Sequence, residues 1–283
     1  MQPSLEQIRD QQKESWNKFS PGWKKWDELN MEFLRPMGDE IIRGLKLRSD
    51  DIVLDVAAGT GEPGLSIAEI VKNGKVISTD LAEDMLGVAR SNAERRKLLN
   101  FETKACDVCE LPFADQTFNA ISCRFGFMFF PDMVLAAQEL FRVLKPGGRI
   151  AVSVWSGAEK NRWVSAIMEA ISQHITLTPP AEGAPGIFRC ANKDMISDLF
   201  NQAGFKNITQ TSVDSKLKMD SPEVYWSMMT ELAAPVMTSL NKTDEETKLK
   251  IKNSLFTILS EKNMNGKIEL GANAMVIVGE KIG

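Results

Sequence analysis

Histidine and tyrosine are almost absent from this chain of 283 residues, which contains one of each. Because His174 is the only imidazole, neither a metal centre built from several histidines nor the HExxH zinc motif can form. A Ser–His–Asp hydrolase would depend on the same histidine, and the G-x-S-x-G sequence that carries the nucleophile of many hydrolases does not occur. The scarcity of histidine therefore argues against zinc enzymes and against hydrolases of this kind.

The sequence also lacks the features of secreted, membrane-spanning and nucleic-acid-binding proteins. Its four cysteines do not have the spacing of a disulfide framework, the amino-terminal MQPSLEQIRDQQK has no apolar signal core, and no apolar run approaches the length of a membrane span. Lysine and arginine total 34 against 38 acidic residues, a net charge of −4 that offers little attraction to phosphate backbones. We expect a soluble, cytoplasmic protein with reduced thiols that binds no nucleic acid.

From residue 51 onward, short apolar runs alternate with amphipathic stretches, which is the rhythm of βαβ units in a parallel sheet. The runs predict strands at Ile52–Val56, Lys75–Thr79, Phe101–Lys104, Ala120–Cys123, Arg149–Val154, Ile208–Val213 and Ala274–Gly279. Helices are predicted near Pro63–Val71, Met85–Leu99, Val134–Leu144 and Lys193–Ala203. Because the strands lack polar alternation, helices should cover both faces of the sheet, as in α/β folds.

The remaining segments predict helical caps. Residues 1–48 form an amphipathic pattern that Ser20-Pro21-Gly22 interrupts, and we expect a helical cap there, ahead of one ligand-binding domain over residues 49–283. Two helical segments, 161–187 and 221–265, break the βα rhythm of that domain. We expect them to cover a substrate.

The most informative segment is Val53-Leu-Asp-Val-Ala-Ala-Gly-Thr-Gly-Glu-Pro-Gly64, which predicts a buried strand, a glycine turn and the start of a helix. Glycines in this turn allow the backbone to pass close to a ligand. The pattern satisfies the G-x-G-x-x-G of dinucleotide sites, but Asp55 and Glu62 would repel a pyrophosphate at the start of the helix. S-adenosylmethionine (SAM) suits these acids better, since it carries a sulfonium and an ammonium and no phosphate.

Acidic residues also follow the next two predicted strands. Asp80 ends the second strand, nineteen residues after Gly61, where a carboxylate can accept both hydroxyls of an adenosine ribose. Asp107 follows the third strand and could accept a proton from the adenine amino group. Any one of these acids, taken alone, is better explained as a helix cap or turn residue. Three acids at successive strand ends, with Asp55 as the first, favour an adenosyl site at the carboxyl edge of the sheet.

Four segments, in order and at similar intervals, resemble the class I SAM-dependent methyltransferases, and among them the UbiE/Coq5-like small-molecule group. They are VLDVAAGTGEPG (53–64), VISTDLAEDML (76–86), ACDVCELPFADQTFNAISCRFGFMFFPD (105–132) and ELFRVLKPGGRIAVSVW (139–155). This resemblance covers about residues 45–155. It implies a Rossmann-like fold with a mostly parallel seven-stranded sheet, helices on both faces and helical cap insertions.

The resemblance also implies an activity and a set of SAM contacts. The contacts are Asp55, Ala57, Gly59, Thr60 and Gly61 at the methionine end, Asp80 and Leu81 at the ribose, Met85 beside the base, Asp107 and Val108 at the adenine, and Arg124 after the fourth strand. The implied activity is methyl transfer to a small, partly apolar metabolite, with S-adenosylhomocysteine (SAH) as the product. A quinone acceptor is not implied, because the Met-Ser-x-Gly-x-His-type run of quinone methylases is absent and Pro21-Gly-Trp-Lys-Lys-Trp26 replaces it.

Several residues outside these motifs have both a functional and a structural interpretation. His174 is a candidate general base, since an imidazole titrates near neutral pH, or it simply ends a helix. Cys106 and Cys109 form a C-x-x-C, but no second pair follows, which favours two packed side chains over a zinc or redox site. Arg189 could bind an anionic group of a substrate or fix its loop.

Three further questions stay open at this level. Trp23 and Trp26 could lie over a bound cofactor or pack on the sheet, and Tyr225 is a second candidate for a catalytic group. The chain could also be a SAM-binding scaffold or regulatory subunit that no longer transfers methyl groups. An NAD(P)-dependent oxidoreductase is the other alternative, against which the acids at 55 and 62 argue.

Overall fold

A computed structural model of the chain describes residues 4–177, 179, 181, 183–260 and 267–283. Within these residues, seven strands form one sheet in the order β3-β2-β1-β4-β5-β7-β6. The strands are β1 (Ile52–Val56), β2 (Lys75–Asp80), β3 (Phe101–Ala105), β4 (Phe118–Arg124), β5 (Leu144–Trp155), β6 (Lys206–Met219) and β7 (Ile268–Glu280). β1 to β5 are parallel, and β7 is antiparallel to both β5 and β6. The predicted α/β fold with a mostly parallel seven-stranded sheet is confirmed.

Ten α-helices surround the sheet in the described residues, and none of them is both long and apolar enough to cross a membrane. They are α1 (Leu5–Lys25), α2 (Asp27–Leu45), α3 (Gly64–Ile70), α4 (Glu83–Arg95), α5 (Met133–Val143), α6 (Arg162–Ser172), α7 (Met195–Ala203), α8 (Pro222–Leu232), α9 (Ala234–Leu240) and α10 (Glu245–Ser260). Short 3₁₀ turns lie at Phe127–Phe129 and Ala158–Lys160.

The two faces of the sheet are covered by separate hydrophobic cores. Successive side chains of a strand point to opposite faces. Accordingly, Val53 and Ala151 belong to one core and their neighbours Leu54 and Ile150 to the other. All four side chains are fully buried. The continuous apolar runs seen in the sequence follow from this double burial.

α1 continues through Pro21, so the predicted interruption at this proline is wrong. A proline inside a helix leaves the carbonyl group four residues earlier without its amide donor. Here the hydroxyl of Ser20 donates to that carbonyl, which belongs to Asn17, at 2.9 Å. Gly22 has a separate purpose, because a Cβ there would lie 2.2 Å from the carbonyl oxygen of Glu231. The glycine therefore permits α1 to cross α8 at close range.

The two amino-terminal helices have different positions. α2 packs across β4 to β7, whereas α1 contacts α4 on one side and α8 on the other. The carboxylate of Glu231 on α8 accepts hydrogen bonds from Lys25 Nζ (2.7 Å) and Trp26 Nε1 (2.8 Å). α1 therefore bridges the carboxyl edge of the sheet, while α2 is part of the packing of the sheet. The division into a cap over 1–48 and a domain over 49–283 stays a prediction.

The last two strands are longer than the sequence predicts. β6 pairs with β7 from Lys206 and Glu280 to Met219 and Ile268, whereas the pairing of β5 with β7 stops at Ala274. The far half of this antiparallel ladder therefore projects beyond β5, and the segment containing α8, α9 and α10 connects its ends. Most side chains of β6 are exposed or partly exposed, as on an edge strand. For this reason an apolar run marks only part of its length.

Candidate ligand-binding site

A cavity of about 1310 Å³ lies at the carboxyl edge of the sheet. Its wall includes the last residues of four strands, which are Val56, Asp80, Arg124 and Trp155, together with residues of α1, α2, α6 and α8. β1 lies between β2 and β4, at the point where the strand order reverses. Ligands of open α/β sheets bind at such a point, outside the carboxyl ends of the strands.

The two glycines of the loop after β1 face different surroundings. Gly59 has φ +55° and lines the cavity, and a Cβ there would meet only Met85 Cε, at 3.5 Å. Gly61 has φ +112°, and its Cβ would lie 2.8 Å from a methyl carbon of Leu65 and 3.2 Å from Ala89 Cβ. Gly61 therefore allows the loop to pack against α3 and α4 and does not line the cavity.

Asp55 lies beneath this loop, fully buried and outside the cavity wall. Its Oδ1 accepts a hydrogen bond from Ser122 Oγ at 2.6 Å, and its Oδ2 accepts one from the amide of Gly64 at 3.2 Å. Burial raises the pKa of Asp55 to about 7, although the bond from Ser122 opposes the rise. Asp55 therefore stabilises the start of α3 through its hydrogen bond from Gly64. Its contact with SAM stays a prediction.

The acids that follow β2 and β3 both line the cavity. Asp80 Oδ2 accepts a hydrogen bond from Gly59 N and Asp80 Oδ1 accepts one from Ala82 N, both at 2.9 Å. Burial raises the pKa of Asp80, and these two bonds oppose the rise. Asp107 Oδ1 accepts a bond from Cys109 N at 2.8 Å. Each carboxylate oxygen can accept more than one hydrogen bond, so both acids retain acceptor capacity.

Arg124 brings a guanidinium group into the same part of the cavity. Within the described residues, its side chain makes one hydrogen bond, from Nη2 to Met31 Sδ at 3.2 Å. Burial lowers the pKa of Arg124, while Glu62, Asp55 and Asp27 act in the opposite direction. Since no ion pair of Arg124 occurs among the described residues, this cation retains several unused N–H donors.

Two further donors in the cavity wall come from the amino-terminal helices. Trp23 Nε1 on α1 and Asn30 Nδ2 on α2 are shielded from water and have no hydrogen-bond partner in the described part of the chain, and both residues line the cavity. The sequence allows two roles for Trp23, over a cofactor or against the sheet, and Asn30 is not among the predicted site residues. A signal for Asn30 does exist, because this asparagine lies on the same face of α2 as the buried Phe33, Leu34 and Met37. A polar residue on an apolar helix face deserves to be read as a site candidate.

The other end of the cavity is apolar and largely aromatic. Phe125 and Trp155 stack with ring centroids 4.1 Å apart and an angle of 14° between planes, and Trp163 lies 4.9 Å from Trp155. Met228 and Met229 of α8 join this wall, so the methionines of the second insertion contribute both to the core and to the cavity. Because methionine adapts to irregular shapes, this wall suits a variety of apolar ligands.

The family model described as methyltransferase domain matches residues 53–148, which begin in β1 and end in β5. Over these residues, which are about a third of the chain, the chain is similar to methyltransferase domains. The match spans the glycine loop, Asp80, Asp107 and Arg124. The predicted resemblance to this class is confirmed.

Curated proteins similar to part of this chain are named demethylmenaquinone methyltransferase, in agreement with the predicted UbiE-like group. The protein of that name from Thermus thermophilus is 42% identical over 100 residues, which are 35% of this chain and 45% of that protein. The one from Bacillus cereus is 35% identical over 112 residues, or 39% of this chain and 47% of that protein. The chain spans about half the length of these relatives.

Solved structures share the fold of this chain over most of its length. The YcgJ protein of Bacillus subtilis superposes with a TM-score of 0.57 at 21% identity, covering 87% of this chain and 98% of that one. Phosphoethanolamine N-methyltransferase 2 of Haemonchus contortus, solved with SAH, has a TM-score of 0.55 at 17% identity, covering 100% of this chain and 61% of that one. At these identities the likeness concerns the fold.

Two predicted candidates for catalytic groups lie outside the cavity described above. The exposed His174 has its Nε2 2.8 Å from Ser254 Oγ on α10 and does not line the cavity. Tyr225 is fully buried, and its hydroxyl donates to the carbonyl of Trp163 at 2.8 Å. The structure therefore does not bring the one imidazole or the one phenol of the chain to the cavity.

The two cysteines of the C-x-x-C flank Asp107 beside the cavity. Burial raises the pKa of Cys106 to about 11 and that of Cys109 to about 12, so both are thiols near neutral pH. Cys109 Sγ donates to the carbonyl of Asp132 at 3.4 Å. Among the described residues, no group of three or more histidine, cysteine, aspartate or glutamate side chains could hold a metal ion. These observations support packed side chains in place of a reactive pair.

Proposed function

We propose that this chain transfers a methyl group from SAM to a small, partly apolar metabolite, with SAH as the second product. The observation that carries the proposal is the continuity of one cavity. Its polar end contains Gly59, Asp80 and Asp107, and its apolar end contains Trp155 and Trp163. A polar donor site and an apolar acceptor site that share one enclosed space meet the geometric need of a direct transfer.

The polar end fits SAM in the chemistry of its unused hydrogen-bonding groups. The acceptors Asp80 and Asp107 suit the ribose hydroxyls and the adenine amino group. The unpartnered donors Trp23 Nε1 and Asn30 Nδ2, together with the guanidinium of Arg124, suit the carboxylate of the methionine part. The predicted contact residues that line the cavity are Ala57, Gly59, Thr60, Asp80, Leu81, Met85, Asp107, Val108 and Arg124. Asp55 and Gly61 support the loop from behind.

The residues of the chain contribute position and exclusion of water. SAM, when bound, supplies an electrophilic methyl group on its sulfonium. α1 and α8 cover the carboxyl edge and are tied together by Glu231, and the aromatic wall keeps the apolar end dry. Holding a nucleophile in line and excluding water can account for much of the acceleration of such a reaction. A general base is needed only for an acceptor that arrives protonated, and neither His174 nor Tyr225 is placed to act as one.

The alternative functions are less well supported. A dinucleotide would bring a pyrophosphate to a loop where Glu62 and Asp80 line the cavity, and like charges repel. A SAM-binding scaffold would retain the polar end but would not need a large apolar chamber joined to it. A cytoplasmic location stays a prediction.

Calorimetric titration with SAM tests the donor site. The unmodified chain should bind SAM with a micromolar dissociation constant, and Asp80→Ala should weaken binding about 100-fold, because hydrogen bonds to an ionised carboxylate are each worth about 1.5–3 kcal/mol. Asp84→Ala is the matched control, since Asp84 is an exposed acid in the first turn of α4. Equal binding by all three proteins, or by none, would contradict the assignment.

Transfer itself is tested with SAM that carries a labelled methyl group. Incubation of the protein with this SAM and a metabolite extract should yield a labelled small product, and Asp80→Ala should not yield it. Reproducible absence of such a product, with SAM binding intact, would favour the scaffold.

A further inference from the structure

Arg189 places a cation in the wall of the cavity from the loop between α6 and α7. This loop is fixed to the segment after β4 by two hydrogen bonds. The amide of Gly186 donates to the carbonyl of Met128 at 3.1 Å, and Arg189 Nη1 donates to the carbonyl of Phe130. The guanidinium is therefore held at one corner, and its orientation is set before any ligand arrives.

The opposite edge of this guanidinium has no partner. Nε is shielded from water and makes no hydrogen bond, and no bond of Nη2 occurs among the described residues. None of the ion pairs in the described part of the chain involves Arg189. Burial lowers the pKa of Arg189, and Cys190 and Asp132 act in the opposite direction. Arg142, which is also partly buried, differs, since it pairs with Glu139 and Asp115.

An unpaired cation in these surroundings is costly. Its neighbours in the cavity wall include Ile187, Phe188 and Met195. Removing even part of an ion from water is unfavourable unless an opposite charge and hydrogen bonds replace the lost hydration. An arginine with a purely structural role would donate most of its hydrogen bonds to carbonyl and carboxylate groups of the protein. In the described residues, Arg189 donates one such bond, to the carbonyl of Phe130.

We propose that the acceptor is an amphiphile with an apolar body and one carboxylate, and that Arg189 binds this carboxylate through Nε and Nη2. Adjacent N–H groups of a guanidinium match the two oxygens of a carboxylate, which a lysine ammonium cannot do. The apolar body would lie against the aromatic wall that contains Trp155 and Trp163. The inference rests on the proposed function and names the substrate class of the same cavity.

Arg189 is distinct from the cation at the SAM end of the cavity. Arg124 comes from the carboxyl end of β4, where its guanidinium contacts Met31 and interacts electrostatically with Glu62. Arg189 enters from a different element, beside α7. Arg9 and Lys242 also line the cavity, but Arg9 pairs with Glu6 and Asp10, and Lys242 is exposed. Arg189 is therefore the partly buried, unpaired cation that remains for the acceptor after the carboxylate of SAM is accounted for.

The test compares pairs of probes that differ only in charge, namely naphthoate with naphthamide and decanoate with decanamide. Calorimetry on the full chain without SAM should show at least one carboxylate binding roughly tenfold or more tightly than its amide, as expected for a charge-assisted bond. Arg189→Gln should remove this preference, and Arg189→Lys should retain only part of it. Arg162→Gln is the control, because this arginine pairs with Glu169 on α6 and does not line the cavity.

SAM binding by each variant, measured in the same way, separates the possible failures. Arg189→Gln should bind SAM as the unmodified chain does, which shows that it is folded. A charge preference that persists in Arg189→Gln, or that is absent from both pairs of probes in the unmodified chain, overturns the inference. Loss of SAM binding by the unmodified chain would instead overturn the proposed function, whatever the probes show.

Discussion

Replacing Asp55 with asparagine should change how the free energy of unfolding depends on pH. The carboxyl group is fully buried and its pKa is raised from 3.8 to about 7, so the folded chain retains a proton that the unfolded chain releases. Below pH 3.8 both states are protonated and the group contributes nothing. As the pH rises from 3.8 to about 7, the unfolded state becomes progressively favoured.

The interval between these two pKa values corresponds to about 4 kcal/mol of stability lost between pH 4 and pH 8. Asparagine has a similar shape and no charge, so Asp55→Asn should not show this loss. The difference in unfolding free energy, variant minus unmodified chain, should therefore rise with pH by several kcal/mol. Its absolute level also includes altered hydrogen bonds to Ser122 and Gly64, which shift the curve without changing its slope.

Urea unfolding followed by tryptophan fluorescence at one-unit intervals from pH 4 to pH 8 measures this difference. Asp50→Asn is the control, because Asp50 is exposed in the turn before β1 and should give a curve parallel to that of the unmodified chain. A difference for Asp55→Asn that is flat, or that falls as the pH rises, would refute the reasoning.

Two further predictions concern the closure of the site and its thiols. Gly22→Ala should lower the free energy of unfolding by about 1–3 kcal/mol, because the added Cβ collides with the carbonyl of Glu231. In urea unfolding, Gly271→Ala should cost less, since no atom lies within 4 Å of its Cβ position, and equal costs would contradict the contact. Cys106 should react slowly with iodoacetamide at pH 8, where a thiol of pKa about 11 is about 0.1% ionised, and SAM should slow it further. Mass spectrometry measures the rate, and a rate equal to that of free cysteine would contradict the burial.

The sequence predicts the sheet and the acids at its carboxyl edge well because their determinants are local. Each strand of the parallel sheet is a continuous apolar run, and Asp80 and Asp107 directly follow such runs. A parallel sheet places all of these strand ends at one edge, so the chain order alone brings the acids together. Asp55 shows the limit of this argument, since its place at the end of a strand does not reveal that it lies beneath the loop.

The wall that the helices contribute to the cavity could not be predicted in the same way. Its wall combines side chains that are far apart in sequence, such as Asn30, Trp163 and Met229. Which face of a helix meets the cavity depends on packing between distant elements, and neither spacing nor composition specifies it. His174 illustrates this point, because the end of α6 lies near the cavity while its imidazole turns to Ser254. Pro21 is a second example, in which a local helix-breaking signal is overridden by Ser20 and by the contact with α8.

The long ladder of β6 and β7 has a consequence for how this protein could diversify. Met219 and Ile268 face each other across the ladder, so their Cα atoms are about 4.5–5.5 Å apart. The segment between them leaves and re-enters the sheet at nearly one point, as the loop of a hairpin does, although it carries α8, α9 and α10. It could be exchanged for a segment of another length without altering the pairing of β1 to β5. New acceptor preferences could thus arise by replacing one cassette, while the parallel strands stay as they are.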